Sequence, residues 1–331
     1  MLYYYALLYY NINLKQINTM KKIHLISTLI GLLAFSTISK ADLKVVTSIK
    51  PIHSLASYIM DGVGSPGLIV DGYNSPHNFQ LKPSHAKMLE QADIIFWVGE
   101  DLENFLEKPL DTIAKKAEKI ELLEIKGIKK LKFRERNIFE EHEGHDDHGH
   151  DAKKEEHDDH EGHGHGEYDP HIWLDPINAK VILNEITEHL IENDSKNAST
   201  YKSNLAKSLA KIDKLIIDVI TETNTDLSYV VFHDAYQYYE NRFNVNILGA
   251  MTVNPDVMPG AEQIHEIHEV IEHDNVSCIL SEPQFNPDII KSIAKDTNVK
   301  TGVLDPLGAN LKPGKDLYFD LIRNMSASFN C

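Results

Sequence analysis

Histidine is concentrated in this sequence where carboxylates are densest. Between Glu140 and His171 stand His142, His145, His148, His150, His157, His160, His163 and His165, interspersed with Asp and Glu. The stretch closes on Asp169-Pro170-His171-Ile172-Trp173-Leu174-Asp175-Pro176. Neutral imidazoles and carboxylates both ligate metal ions. A dense tract of them offers many two- and three-ligand arrangements of similar energy, so it should bind several cations weakly and exchange them fast. Protonation of the imidazoles as pH falls through about 6.5 would release such ions. No hydrophobic periodicity runs through the tract, so it cannot bury a core and is expected to be a disordered loop over 140–169. A solvated linker with incidental metal affinity has the same composition.

Three histidines stand at positions of another kind. His77 follows a strand-like run in Ser75-Pro76-His77-Asn78-Phe79, His171 closes the histidine-rich tract, and His233 lies just beyond a strand end; Asp305 marks a further strand end. Ligands of open α/β sheets bind outside the carboxyl ends of the strands, so these four side chains could converge in one cleft. Three neutral imidazoles and a carboxylate suit a borderline ion such as Zn²⁺ and disfavour Ca²⁺ or Mg²⁺, which prefer oxygen. Taken singly, each histidine is more often a hydrogen-bonded structural residue, but all three stand beside a histidine-rich insertion. His265, His268 and His273 share a helical run with Glu266, Glu269 and Glu272, but no His-Glu-x-x-His spacing occurs there. That run reads as a solvated helix face. His85 and His189 read as structural or surface residues, and His53 as a supporting residue near the cleft.

The elements that must position these residues alternate. Strand-like runs cover 43–48, 67–70, 93–98 and 120–123, with helical runs over 51–60, 83–91 and 101–117 between them. After the tract, 178–192 has helical periodicity. A long helix over 196–223 follows, with Tyr201, Leu205, Leu209, Ile212, Ile216 and Val219 at spacings of three and four. Strands then recur at 229–232, 245–248, 276–281 and 301–304, with helices at 260–273, 287–296 and 317–328. The fold class is α/β: two lobes, each with a mostly parallel four-stranded sheet, the long helix being either a rigid strut between them or a plain surface helix of one domain. The expected organisation is an N-terminal lobe over 42–195, a linking helix over 196–223 and a C-terminal lobe over 224–331.

The front of the chain differs. Met20-Lys21-Lys22 precedes an apolar run over 23–38 and then Ser39-Lys40-Ala41, the pattern of a secretory signal peptide over 20–41 cleaved after Ala41. Residues 1–19 read as a spurious extension upstream of the true start. No cysteine adjoins the cleavage point, which argues against a lipid anchor. Export would place Cys278, in an apolar strand-like run, and Cys331, the last residue, in an oxidising compartment where they should pair. The formal charge of −17 over 331 residues opposes nucleic-acid binding and suits a cationic ligand.

The sequence resembles the periplasmic solute-binding proteins of high-affinity zinc ABC importers, the ZnuA type, over nearly all of the mature chain. The resemblance rests on Thr47-Ser48-Ile49-Lys50-Pro51-Ile52-His53-Ser54-Leu55, Ser75-Pro76-His77 with Leu81-Lys82-Pro83-Ser84, and Phe96-Trp97-Val98-Gly99. It continues in Pro170-His171-Ile172-Trp173-Leu174, Val231-Phe232-His233-Asp234-Ala235-Tyr236, Ser281-Glu282-Pro283-Gln284-Phe285 and Leu304-Asp305-Pro306-Leu307-Gly308. It implies two α/β lobes joined by a long rigid helix with a metal cleft between them, in a monomer, not an enzyme, that carries Zn²⁺ as transported ligand to an inner-membrane permease. It assigns ligand roles to His77, His171 and His233 and supports the bridge between Cys278 and Cys331. It leaves the fourth position to Asp305 or water, with Glu282 the last choice. A histidine at 233, where manganese-binding relatives are expected to carry a carboxylate, favours zinc over a manganese- or iron-binding relative. Two other classes share the site residues: a three-histidine zinc hydrolase, for which no nucleophile or general-base pairing is visible, and a zinc-dependent adhesin or metal buffer without a transporter.

Overall fold

The computed structural model describes residues 43–134, 136–139, 166–253, 255, 257 and 259–331. The signal-peptide segment and the eight histidines of the tract lie outside these residues. No described helix is long and apolar enough to cross a membrane.

Two parallel sheets are built to the same plan. In the first, β1 (Val45–Ile49), β2 (Gly67–Val70), β3 (Ile94–Trp97) and β4 (Glu118–Glu121) lie in the order β2-β1-β3-β4. In the second, β5 (Ser228–His233), β6 (Asn246–Thr252), β7 (Cys278–Ser281) and β8 (Lys300–Val303) lie in the order β6-β5-β7-β8. Every pairing is parallel. The inner strands are covered on both faces, so the wholly apolar Ile94–Trp97 and Val45–Ile49, which includes the small polar Thr47 and Ser48, are buried at every residue. The outer strands β4 and β8 are mostly exposed. Their polar sequences carry a weaker pattern, and β4 begins two residues before the expected 120–123.

Helices α1 (Lys50–Ile59), α2 (Pro83–Gln91) and α3 (Glu100–Thr112) connect the first sheet, and α4 (Pro176–Asn193) follows the tract. Pro51, Pro83 and Pro176 each sit in the first turn, where the missing N–H costs nothing. Helix α5 (Ala198–Glu222) buries Tyr201, Ile212 and Val219 on the predicted stripe and packs on α1 and α4. In the second half, α6 (Gln237–Phe243) and α8 (Asp288–Thr297) end on left-handed Asn244 and Asn298; α7 (Ala261–His273) lies between them and α9 (Leu317–Ser328) closes the chain.

The lobes share a core. Helix α9 crosses back to pack on α1 and α5, and one apolar cluster runs continuously from Val45 to Phe329. A smaller cluster fills the space under α7 and α8. Cys278 of β7 is bonded to Cys331, just beyond α9.

The roots of the histidine-rich tract are ordered. Lys132 and Tyr168 form an antiparallel bridge, and Asp169 N–H donates to Leu131 O at 2.8 Å, so the expected loop boundary at 169 falls inside paired backbone. On the entry side, Ala250 N–H donates to Asn137 O and Phe139 N–H to Leu248 O, both at 2.8 Å, which lays 137–139 along the outer edge of β6. Gly249 makes room for this: a Cβ there would stand 2.8 Å from Asn137 O. In sequence Gly249 looks like a strand end, yet β6 continues to Thr252.

Candidate metal centre

Each of the three predicted histidines is delivered by a different strand-end or loop. His77 lies in the loop after β2, where its N–H donates to Ser75 Oγ at 3.2 Å. His171 precedes a 3₁₀ turn over Ile172–Leu174, which leads into α4 through the cap Asp175, whose carboxylate accepts from Ile177 N–H at 2.8 Å. His233 is the last residue of β5. The three rings meet with centroids 5.6 Å (His77 to His171), 5.6 Å (His77 to His233) and 5.2 Å (His171 to His233) apart. One nitrogen from each falls within 4.8 Å of the others. The pocket they share is also lined by Pro76, Trp173, Glu282, Gln284, Phe285 and Pro306, and thus by both lobes.

The far side of two rings is held by carboxylates. Asp169 Oδ1 lies 2.7 Å from His171 Nδ1 and also accepts the His171 N–H at 2.9 Å. Glu282 Oε1 lies 2.6 Å from His233 Nδ1. An acceptor facing each Nδ1 places the proton there and leaves Nε2 as the lone-pair nitrogen, the arrangement by which acidic partners orient metal-binding histidines. The two Nε2 atoms stand 3.3 Å apart. Two lone pairs at that separation repel unless a positive species lies between them. A proton or a metal ion placed between them removes that repulsion.

The electrostatics follow from burial. Burial opposes the charged form of His233, but the Glu282 carboxylate outweighs it and holds the imidazole above its ordinary value of 6.5. Burial, reinforced by the neighbouring His233, pushes His171 well below it. Burial also raises Asp169 and Asp234 to about 7. Behind the pair, Arg134 of the tract's entry root contacts Asp234 at 2.8 Å and Glu240 at 2.7 Å. Trp173 walls the pocket, its Nε1–H donating to Pro306 O at 2.8 Å.

Asp305, expected as a fourth ligand, is not brought into this group. Its carboxylate accepts the backbone N–H groups of Leu307 and Gly308 at 3.0 Å each and of Ala309 at 2.5 Å, and the Gln284 amide at 2.9 Å. These bonds shape the turn after β8. Glu282, the last choice for a ligand, faces the back of His233. Of the other histidines, His53 is buried on α1 with Nδ1 3.4 Å from Ser57 Oγ, and His85 accepts the Lys82 N–H at the start of α2. His265 pairs with Glu269 on exposed α7. His189, read as a surface residue, stands with Glu118 and Glu192 in a second group of potential ligands on the outside of the first lobe. Sequence reasoning missed the roles of Asp169 and Gln284. For Asp169 a signal existed, since an Asp two residues before a histidine is placed to accept from its N–H and ring together.

Two α/β lobes that close a nitrogen-lined pocket at their strand ends make up a solute-binding protein built for a small cation. Residues 45–330 match the family described as zinc-uptake complex component A, periplasmic, and the chain belongs to that family. It is 45% identical over 303 residues to the high-affinity zinc uptake system protein ZnuA of Brucella abortus (strain 2308), covering 86% of this chain and 90% of that one. To the protein of the same name from Yersinia pestis it is 38% identical, covering 90% and 94%. The fold is shared with a crystal structure of ZnuA (TM-score 0.68, 21% identity, 87% of this chain and 100% of that one). It is shared also with a mutant of the laminin-binding adhesin Lmb of Streptococcus agalactiae (TM-score 0.69, 22% identity, 87% and 98%).

Proposed function

We propose that this protein captures Zn²⁺ in the periplasm through His77, His171 and His233 and delivers it to the inner-membrane permease of an ABC importer. The observation that carries this reading is the pair of Nε2 atoms 3.3 Å apart, each backed by a carboxylate on Nδ1, with His77 beside them. Three neutral nitrogens favour Zn²⁺ over Mn²⁺. The zinc-uptake names of the relatives support the same ion and the same kind of partner. Zn²⁺ is the cargo of a binding protein, and the protein is no enzyme.

Several finer points belong to the same reading. The chain is exported with cleavage after Ala41 and works as an unanchored monomer. The histidine-rich tract collects ions loosely, while the trio holds one ion tightly. Asp305 shapes the pocket wall instead of ligating.

Titration of metal-free protein against a competing chelator tests the reading. Replacing His77, His171 or His233 by Ala should each weaken the tight zinc equivalent by more than about a hundredfold, since a lost ligand exceeds the 10–100-fold effect of a lost ligand partner. Unchanged tight binding in all three variants would reject it.

A further inference from the structure

An ion on the three histidines would be shut in. His171 and His233 are each 3% exposed, and segments of both lobes wall the pocket: Ser75 and Pro76 from the loop that carries His77, Pro306 and Leu307 from the turn after β8. For the ion to leave, one of these walls must move. The turn belongs to no helix or strand, so its backbone is fixed by the groups that bond to it.

Those groups come from both lobes. Asp305 takes the N–H groups of Leu307, Gly308 and Ala309 from within the second lobe. From the first lobe, Trp173 Nε1–H donates to Pro306 O at 2.8 Å, and Lys50 Nζ donates to Ala309 O at 3.0 Å and to Leu311 O at 2.7 Å. Tyr73, on the His77 loop, donates its hydroxyl to Asn310 Oδ1 and so joins the two walls directly.

Lys50 is the unusual member. Its side chain is buried at the start of α1, and its ion pair with the exposed Asp71 is long, at 3.7 Å. A buried ammonium is costly unless its hydrogens are used, and here two of them are used by carbonyls of the other lobe. An apolar side chain in this place would leave both carbonyls without their donor. An ammonium satisfies them while the wall is in place and is hydrated when the wall moves off, so the contact can be made and broken at small net cost.

We propose that Lys50 is a positioning residue of the metal centre: with the Tyr73–Asn310 bond beside it, it latches the second-lobe wall of the pocket to the first lobe and sets how slowly zinc leaves. The inference rests on the three-histidine reading, and none of these three residues ligates the ion.

Lys50→Met keeps the length of the side chain without its hydrogens; Tyr73→Phe removes one hydroxyl and Asn310→Ala its acceptor. Zinc dissociation is followed after mixing loaded protein with excess chelator, association after mixing metal-free protein with zinc, and melting is measured without metal. Dissociation should quicken about 10–100-fold in Lys50→Met, where bonds to a charged group are lost, and about 2–10-fold in Tyr73→Phe. Association should stay close to wild type. Asn310→Ala should match Tyr73→Phe, and combining the two should add nothing, because both remove one bond. Metal-free melting of Tyr73→Phe and Asn310→Ala should equal wild type, so these two decide the matter if Lys50→Met folds poorly. Wild-type dissociation in Tyr73→Phe and Asn310→Ala overturns the inference. So does an affinity loss carried by slower association, which would mean disarranged histidines and no latch. His77→Ala measured alongside separates the two readings: if it loses zinc while the other variants release zinc at the wild-type rate, only the latch fails; if it holds zinc as wild type does, the three-histidine reading fails.

Discussion

The carboxylates behind the histidines decide how the site behaves. Asp169 holds both the ring and the backbone of His171, so Asp169→Asn should keep the fold yet weaken zinc binding by about 10–100-fold. A chelator-competition titration checks this. The pH dependence has a definite sign. Glu282 holds His233 above 6.5, so a proton competes with the metal as pH falls through that raised value, while His171 stays neutral. Zinc affinity should therefore be flat at alkaline pH and drop as the solution passes from neutral towards acid. Titrations at several pH values measure it, and Glu282→Gln should move the drop to lower pH. At this scale the sequence revealed the three nitrogens, because loops at strand ends could be recognised around His77, His171 and His233. It could not show that Asp305 accepts three backbone N–H groups of the turn it starts. Motif position marks a carboxylate as a possible ligand, but backbone N–H groups compete for it, and that competition is visible only in the folded turn.

At the scale of elements, α3 is tied to the first sheet through Glu103. This residue is fully buried, departs from helical geometry, and accepts the N–H groups of Val98 and Gly99 at 2.8 and 3.0 Å. Burial raises it to about 7. Between its unfolded value near 4.5 and 7 the folded state therefore binds the extra proton, and stability falls as pH rises through that window. Glu103→Gln keeps an acceptor for both N–H groups without the buried charge. The melting temperature of metal-free wild type relative to this variant should decline between pH 5 and about 7.5; a constant difference would mean that Glu103 does not titrate there. Element types were well marked in the sequence, since inner strands such as Ile94–Trp97 are continuous apolar runs and α5 carries a clean stripe. Features set by distant partners were not. The extension of β6 past Gly249 depends on the crossing of 137–139, and the short edge strands take their limits from neighbours.

Across the whole molecule, two sheets of one topology are held by helices that ignore the lobe boundary. Helix α9 belongs to the second lobe in sequence and packs on the first, and the bond from Cys278 to Cys331 anchors its end to β7. In the chain-entropy picture, closing a loop with a separation of 53 residues contributes about 4 kcal/mol. Replacing both cysteines by Ser should lower the melting temperature by several degrees while leaving zinc affinity close to wild type, because neither sulfur lines the pocket. Contacts across the lobes also frame the cleft: Lys50 of α1 donates to Ala309 O at 3.0 Å and Leu311 O at 2.7 Å, supporting the turn that Asp305 starts. The central claim is that three imidazoles at this junction hold the ion. A crystal structure of the zinc-loaded protein, with anomalous differences recorded at the zinc edge, tests it most directly. The account predicts a peak about 2.0–2.1 Å from a nitrogen of each of His77, His171 and His233, with Asp305 still on its backbone N–H groups. A tight-site peak away from these nitrogens, or one that draws Asp305 out of its turn to ligate, would contradict it.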